Sequence, residues 1–126
     1  MIGRGWHHRR MRPTLHLVPA ADWGARPVGT SYAHPSLATE GFIHCTDGDD
    51  ELLATGDRYY REDGRPYVVL TIDLDAVGVP WRFDDPAGRY PHVYGAIPAA
   101  AIIAVRSVRR AADGHFLGIE GDAGDP

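Results

Sequence analysis

The chain has 126 residues, 44% of them apolar and 24% charged, with a formal net charge of −4. That length suits one hydrophobic core, and the composition excludes a disordered or fibrous chain. The negative charge opposes binding along a nucleic-acid backbone, no apolar run reaches the roughly 20 residues of a membrane span, and nothing reads as an export signal, so one soluble cytoplasmic domain is expected.

All 13 basic residues are arginine. Without lysine there is no Schiff-base chemistry, no pyridoxal phosphate attachment and no phosphate-loop lysine, so any anion falls to arginine, histidine or backbone N–H groups. Cys45 is the single cysteine, which excludes an internal disulfide and a multi-cysteine metal cluster.

Residues 1–13 form a basic arm carrying Arg4, Arg9, Arg10 and Arg12, expected to be disordered, ahead of a domain over residues 14–110. "TLHLV" (14–18) alternates as a strand with His16 on one face, and "PAADWGAR" (19–26) reads as a short helix opened by Pro19. A Pro- and Gly-bearing loop follows, with a helical turn at 36–39. "EGFIHC" (40–45) is a second strand. Thr46 and Asp49 are then spaced as in a capping box, and Leu52, Leu53, Gly56, Tyr59 and Tyr60 recur on one side of the main amphipathic helix. "PYVVLTIDL" (66–74) is the strongest strand and, being rich in β-branched residues, a central one. "VPWRF" (79–83), "PHVYG" (91–95) and "AAAIIAVRSVRR" (99–110) supply further strands, and the Gly- and Asp-rich stretch 111–126 is expected to be a flexible tail. Helices early and strands late make an α+β pattern: a single compact domain with one main helix. No glycine-rich phosphate fingerprint follows any strand.

Two histidines stand out. His44 ends a strand just before a helix start, where free N–H groups attract anions; the plainer reading is a buried histidine bonded to a carbonyl. His92 shares a strand face with Tyr94 while Val93 turns inward, so the pair suits a pocket wall, or else a surface loop. Cys45 points away from His44 and fits a small buried hydrophobe better than a nucleophile, and Thr46 fits a helix cap that also reaches ligand. Arg58, Arg82, Asp84 and Asp85 complete the polar set, with Arg82 and Asp84 projecting from one face either as a surface ion pair or into a site. The histidines and Cys45 lack metal-ligand spacing, so no metal is expected.

"EGFIHCT" leading into a helix, "YVVLTIDLDAVGVPWRFDD" and "YPHVYGAIPAAAIIAV" together resemble the domain-of-unknown-function 952 (DUF952) family of small bacterial proteins, over roughly residues 15–108. "ADW" at 21–23 matches that family's early tryptophan helix, and Asp84 stands where the family often has glutamate. The family in turn resembles the ADP-ribosylation fold, a split and strongly bent, mainly antiparallel sheet in which transferases bind NAD. The resemblance implies a cleft between the half-sheets, with His44 near the ligand, His92 and Tyr94 on the opposing wall and Asp84 joining the histidines as a catalytic residue; the residues themselves add Thr46, Arg58 and Arg82 as candidate ligand contacts, and Trp23 as either a core aromatic or a stacking contact. The resemblance also implies NAD or an ADP-ribose-like compound as the ligand, Asp84 facing the cation formed on glycosidic cleavage.

A histidine acid–base pair equally suits an isomerase, cyclase or lyase of a non-nucleotide metabolite. The expectation is therefore an enzyme acting on an anionic, nucleotide-like or NAD-derived small molecule, against two alternatives: a pocket that binds without chemistry, and a protein-contact domain using Trp6 and the arginine arm. The oligomeric state is left open.

Overall fold

The computed structural model describes residues 11–121. In chain order the elements are β1 (Pro13–Pro19), α1 (Ala20–Ala25), α2 (Ser36–Glu40), β2 (Ile43–His44), α3 (Asp49–Tyr59), β3 (Tyr67–Asp73), β4 (Trp81–Phe83), β5 (Pro91–Val93), β6 (Ile102–Arg110) and β7 (Phe116–Ile119), with single 3-10 turns at Leu74–Ala76 and Ala99–Ala101. A four-stranded sheet runs β1-β3-β6-β7 and a three-stranded sheet runs β2-β5-β4. Every pairing is antiparallel. The two sheets meet where Thr46, just past β2, pairs with Leu15 of β1 through two backbone hydrogen bonds of 2.7 and 3.0 Å. This is the expected α+β domain with a split, bent sheet and one main helix.

The run of apolar residues in β3 is explained by burial on both faces. Leu70 and Ile72 join Val18, Ile43, Val93 and Ile97 in a core under the small sheet, while Tyr67 and Val69 join Leu15, Leu17, Leu52 and Phe116 in a second core under α3. Among the described residues no helix is long and apolar enough to cross a membrane.

Four expectations need correction. The stretch read as a flexible tail carries β7, which pairs with β6 from Val108 to Arg110, although residues 122–126 lie outside the described residues. A lone phenylalanine among glycines gives little strand signal, and its order comes from tertiary contact: Phe116 is buried, its N–H donates to Asp57 Oδ1 at 2.7 Å, and its ring fills the space left by the missing side chain of Gly56. The strand expected from Thr14 begins one residue earlier, inside the stretch read as a basic arm, since Pro13 already pairs with Asp73; residues 1–10 of that stretch lie outside the described residues. Thr46 does not cap α3. Gly48, at φ 91°, occupies the cap position with no side-chain hydrogen bond, because Thr46 is engaged with β1. Finally, Tyr59 is 68% exposed rather than packed with Leu52 and Gly56 on the buried side of α3.

The Gly56 contact yields a test whose sign is diagnostic. Glycine to alanine inside a helix ordinarily stabilises by about 0.5–1 kcal/mol. Here the added methyl would lie 2.6 Å from the Phe116 ring. Gly56→Ala is expected to lower stability by roughly 1–3 kcal/mol in urea denaturation, as overpacking does. A stabilised variant would show that β7 does not dock on α3.

Candidate active site

His44 and His92 face each other directly across the β2–β5 pair, and Arg82 of β4 stands opposite His92 on the other side. Directly opposed residues of an antiparallel pair project to the same side of the sheet. The two imidazoles accordingly meet edge to face, with ring centroids 5.1 Å apart. Phe42 lies flat on His92 at 4.0 Å and closes that side of the pair.

Each imidazole has one nitrogen held by a carboxylate. His92 Nδ1 lies 2.8 Å from Asp84 Oδ2, and His44 Nε2 lies 3.0 Å from Glu40 Oε1. A carboxylate only accepts, so neutral His92 carries its proton on Nδ1 and neutral His44 carries its proton on Nε2. That leaves His92 Nε2 and His44 Nδ1 without a partner among the described residues. The His44 side chain is 50% exposed and that of His92 17%.

Asp84 is the hub on the β4 side. The Tyr94 hydroxyl donates to Oδ2, Arg82 Nε donates to Oδ1 at 2.7 Å, and the Arg82 guanidinium lies 4.5 Å over the Tyr94 ring. These donors, Tyr94 first, then Arg82 and His92, hold the Asp84 carboxyl well below the usual carboxylate range.

The histidine pair lines a cleft of about 630 Å³ shared with Cys45, Thr46, Thr55, Arg58, Tyr59, Tyr60, Asp85 and Tyr90. Its far wall is the second half of α3. Arg58 is the cation of that wall: it pairs with Glu51 at 4.0 Å and is hydrogen-bonded to Tyr90 and Tyr59, and with five N–H groups on its fork it is the cleft's source of donors for an anion. A hollow of similar size, about 720 Å³, lies on the other side of Arg58 and Tyr59. It is lined by Asp57, Arg61, Glu62, Asp63 and Asp113 and contains none of the histidines.

His44, His92, Asp84, Arg58 and Thr46 thus come together around one cleft, with Tyr94 and Arg82 bonded to its Asp84. Trp23 does not. It packs edge to face on Tyr32 and against the core, with Arg26 stacked 4.1 Å over its ring. The free N–H groups of the α3 N-terminus are not at the cleft either. Gly48 turns the chain before the helix, and the first-turn Asp49 is bound to Arg106 at 3.0 Å. Cys45 is buried and burial pushes its thiol upward, so it is no thiolate nucleophile. Among the described residues no cluster of three or more His, Cys, Asp or Glu side chains is set to hold a metal ion.

Sequence reasoning missed Glu40, Phe42, Tyr90 and, most of all, His16. The His16 ring is buried in β1 with Nδ1 2.6 Å from the backbone oxygen of His44 and Nε2 2.8 Å from the Tyr32 hydroxyl. A carbonyl only accepts, so Nδ1–H donates to it, Nε2 accepts, and the Tyr32 O–H is the donor. Burial pushes the Tyr32 phenol upward and keeps that proton in place. The alternation of "TLHLV" placed His16 on a sheet face, but nothing local tells that the facing strand end is His44.

Fold and cleft together define a small α+β protein with a paired-histidine site. The chain belongs to the family described as Protein of unknown function (DUF952), which matches residues 17–105. No curated protein matches the sequence. Crystal structures of Protein CC0527 from Caulobacter crescentus, in its original and a double-mutant form, are similar in fold with TM-score 0.68 at 19% identity, covering 84% of this chain and 94% of that one. The solution structure of CC0527 gives TM-score 0.62 at 19% identity, covering 81% and 89%.

His16 produces an acid limb in stability. Burial lowers its pKa from 6.5 to about 3 in the folded state, so between these values the unfolded chain binds more protons and stability rises with pH. The contribution is complete above the unfolded value and declines as pH falls through that window, by about 1.4 kcal/mol per unit, or roughly 2 kcal/mol by pH 5. Denaturant melts between pH 7 and 5 should show this slope, and His16→Asn should reduce it to the part left by His34, whose pKa burial also lowers. An equal slope in the variant would mean that His16 is not buried as a neutral ring.

Proposed function

We propose that the cleft binds a small molecule and that His92 and His44 transfer protons on it, His92 as base and His44 as acid. The carrying observation is the symmetry of the pair: two carboxylate-backed imidazoles in cross-strand register, each with one unpartnered nitrogen. Backing by Asp84 fixes the tautomer of His92 and steadies the imidazolium it becomes on accepting a proton. Arg58 supplies the charge for an anionic group, and Tyr59, Tyr60 and Tyr90 give the cleft an aromatic lining.

An NAD-derived or nucleotide-like ligand is a second reading. It is favoured by a cleft of about 630 Å³, within the range of pockets that hold ligands larger than a simple anion. Glycosidic cleavage fits the residues less well, because the carboxylate that would face the developing cation, Asp84, already accepts from Tyr94, Arg82 and His92. An NAD-like compound then serves better as a bound ligand than as a substrate cleaved by Asp84. A pocket that only binds is the third possibility, and the same experiment separates it.

A thermal-shift panel of NAD, ADP-ribose, mononucleotides and aromatic oxo acids should find a compound that raises Tm saturably, by the equivalent of about 2.7 kcal/mol at a hundredfold excess over Kd. With that compound, His92→Gln should keep the rise in Tm and lose turnover by about 10²–10⁴. Binding without turnover in the unmodified protein would leave a binding module. A panel with no rise would count against the cleft as a ligand site.

A further inference from the structure

The arrangement of the two imidazoles also restricts which proton-transfer reaction they can serve. Because they project side by side from one sheet, a ligand in the cleft meets both from the same side. A reacting group held between two rings needs about 3–3.5 Å of clearance from each, and rings already in contact offer none. The ring centroids are 5.1 Å apart in edge-to-face contact, and Phe42 lies flat on one face of His92 at 4.0 Å. No substrate group fits between them. Reactions that need acid and base on opposite faces are excluded for this pair: two-base epimerisation, in-line displacement at phosphorus with flanking histidines, and inverting glycoside hydrolysis.

What remains is removal and return of protons on one face. An imidazole is a moderate base, so a carbon acid it can ionise must be activated by a neighbouring carbonyl whose developing oxyanion is stabilised. The chain has no lysine, so activation cannot proceed through a protein iminium. The available cation is Arg58, whose fork suits the adjacent oxygens of a carboxylate and an enolate.

Resting on the reading that the pair transfers protons, we infer that the substrate is a 2-oxo acid or similar carbonyl compound bearing an aromatic or apolar body, and that the reaction is a same-face enolisation. His92 Nε2 takes the proton from the carbon next to the carbonyl, the C–H electron pair becomes the C=C bond, and the carbonyl π pair moves to oxygen beside Arg58. His44, entering the step with a second proton taken from solvent onto Nδ1 while Nε2–H stays on Glu40, then gives that Nδ1 proton to the oxygen, or to the far carbon of an extended enolate, on the same face. His92 leaves the step protonated and His44 neutral. One proton passing between them, directly or through solvent at the half-exposed His44, restores the start, and no oxidant, reductant or further reactant is consumed.

The test is hydrogen exchange of phenylpyruvate and 2-oxobutyrate in D₂O with the full chain, followed by ¹H NMR. The C3 protons of both compounds are prochiral. Phenylpyruvate should exchange at least 100-fold above the buffer rate, with deuterium entering one of the two positions first, and faster than 2-oxobutyrate, which lacks the ring. His92→Gln should abolish the enhancement, while His44→Gln should lower the rate and keep the one-sided labelling. Equal early labelling at both positions overturns the same-face assignment. Neither compound exchanging, or exchange unaffected by His92→Gln, overturns the carbonyl assignment. A compound that raises Tm without exchanging in these assays removes the reaction class while leaving the ligand site standing, whereas absence of both binding and exchange removes the site.

Discussion

His44 must stand directly opposite His92, and the two residues of β2 are too few to enforce that register by themselves. The register is imposed from outside the pair. Ile43 is fully buried in the core, Cys45 N–H donates to the Pro91 oxygen at 2.9 Å, and Thr46 is stitched to Leu15 of the large sheet. From the same large sheet, His16 donates to the His44 carbonyl at 2.6 Å and is itself fixed by Tyr32. The backbone of the catalytic candidate is thereby referenced to β1, the edge strand of the most deeply buried sheet. Precision at an exposed histidine is obtained from groups that are not exposed at all.

The side-chain level follows the same logic with charge. Asp84 and Glu40 each commit one nitrogen of an imidazole and leave the other available. Exposed ion pairs contribute little to stability, so the Arg82–Asp84–Tyr94 cluster is better understood as a device for orientation than as reinforcement of the fold. Across the cleft, Glu51 plays the corresponding part for α3. It gathers Tyr90, Arg89 and Arg58, which holds the Arg58 guanidinium on the wall of the cleft that the histidines share.

Much of this was legible in the sequence, and the reasons are physical. The uninterrupted β-branched run of β3 reads as a central strand because both its faces are buried, and the alternation of His92, Val93 and Tyr94 reads correctly because β5 has one face on the core. His44 was recognisable as a candidate from its position at a strand end, and His92 from the face it shares with Tyr94. Their mutual pairing was not, because strands separated by almost 50 residues of sequence carry no local record of register. The same holds for His16, whose partner lies 28 residues away, and for β7, whose order depends on a cavity beside Gly56. Trp23, readable as core or as a stacking contact, packs on the core, and Thr46 lines the cleft without capping α3, for a different reason. Each is a residue type with a common local role, ligand stacking or helix capping, that a stronger tertiary contact had already claimed.

Proton transfer by the pair depends on which ring nitrogens are free, and long-range ¹H–¹⁵N correlation of the histidine side chains reads this directly in the neutral state. The predicted spectrum has His92 in the less common Nδ1–H form, reverting in Asp84→Asn, and His44 in the Nε2–H form. A neutral His92 protonated at Nε2 in the unaltered protein would contradict it, because the nitrogen assigned as the base would then carry the proton.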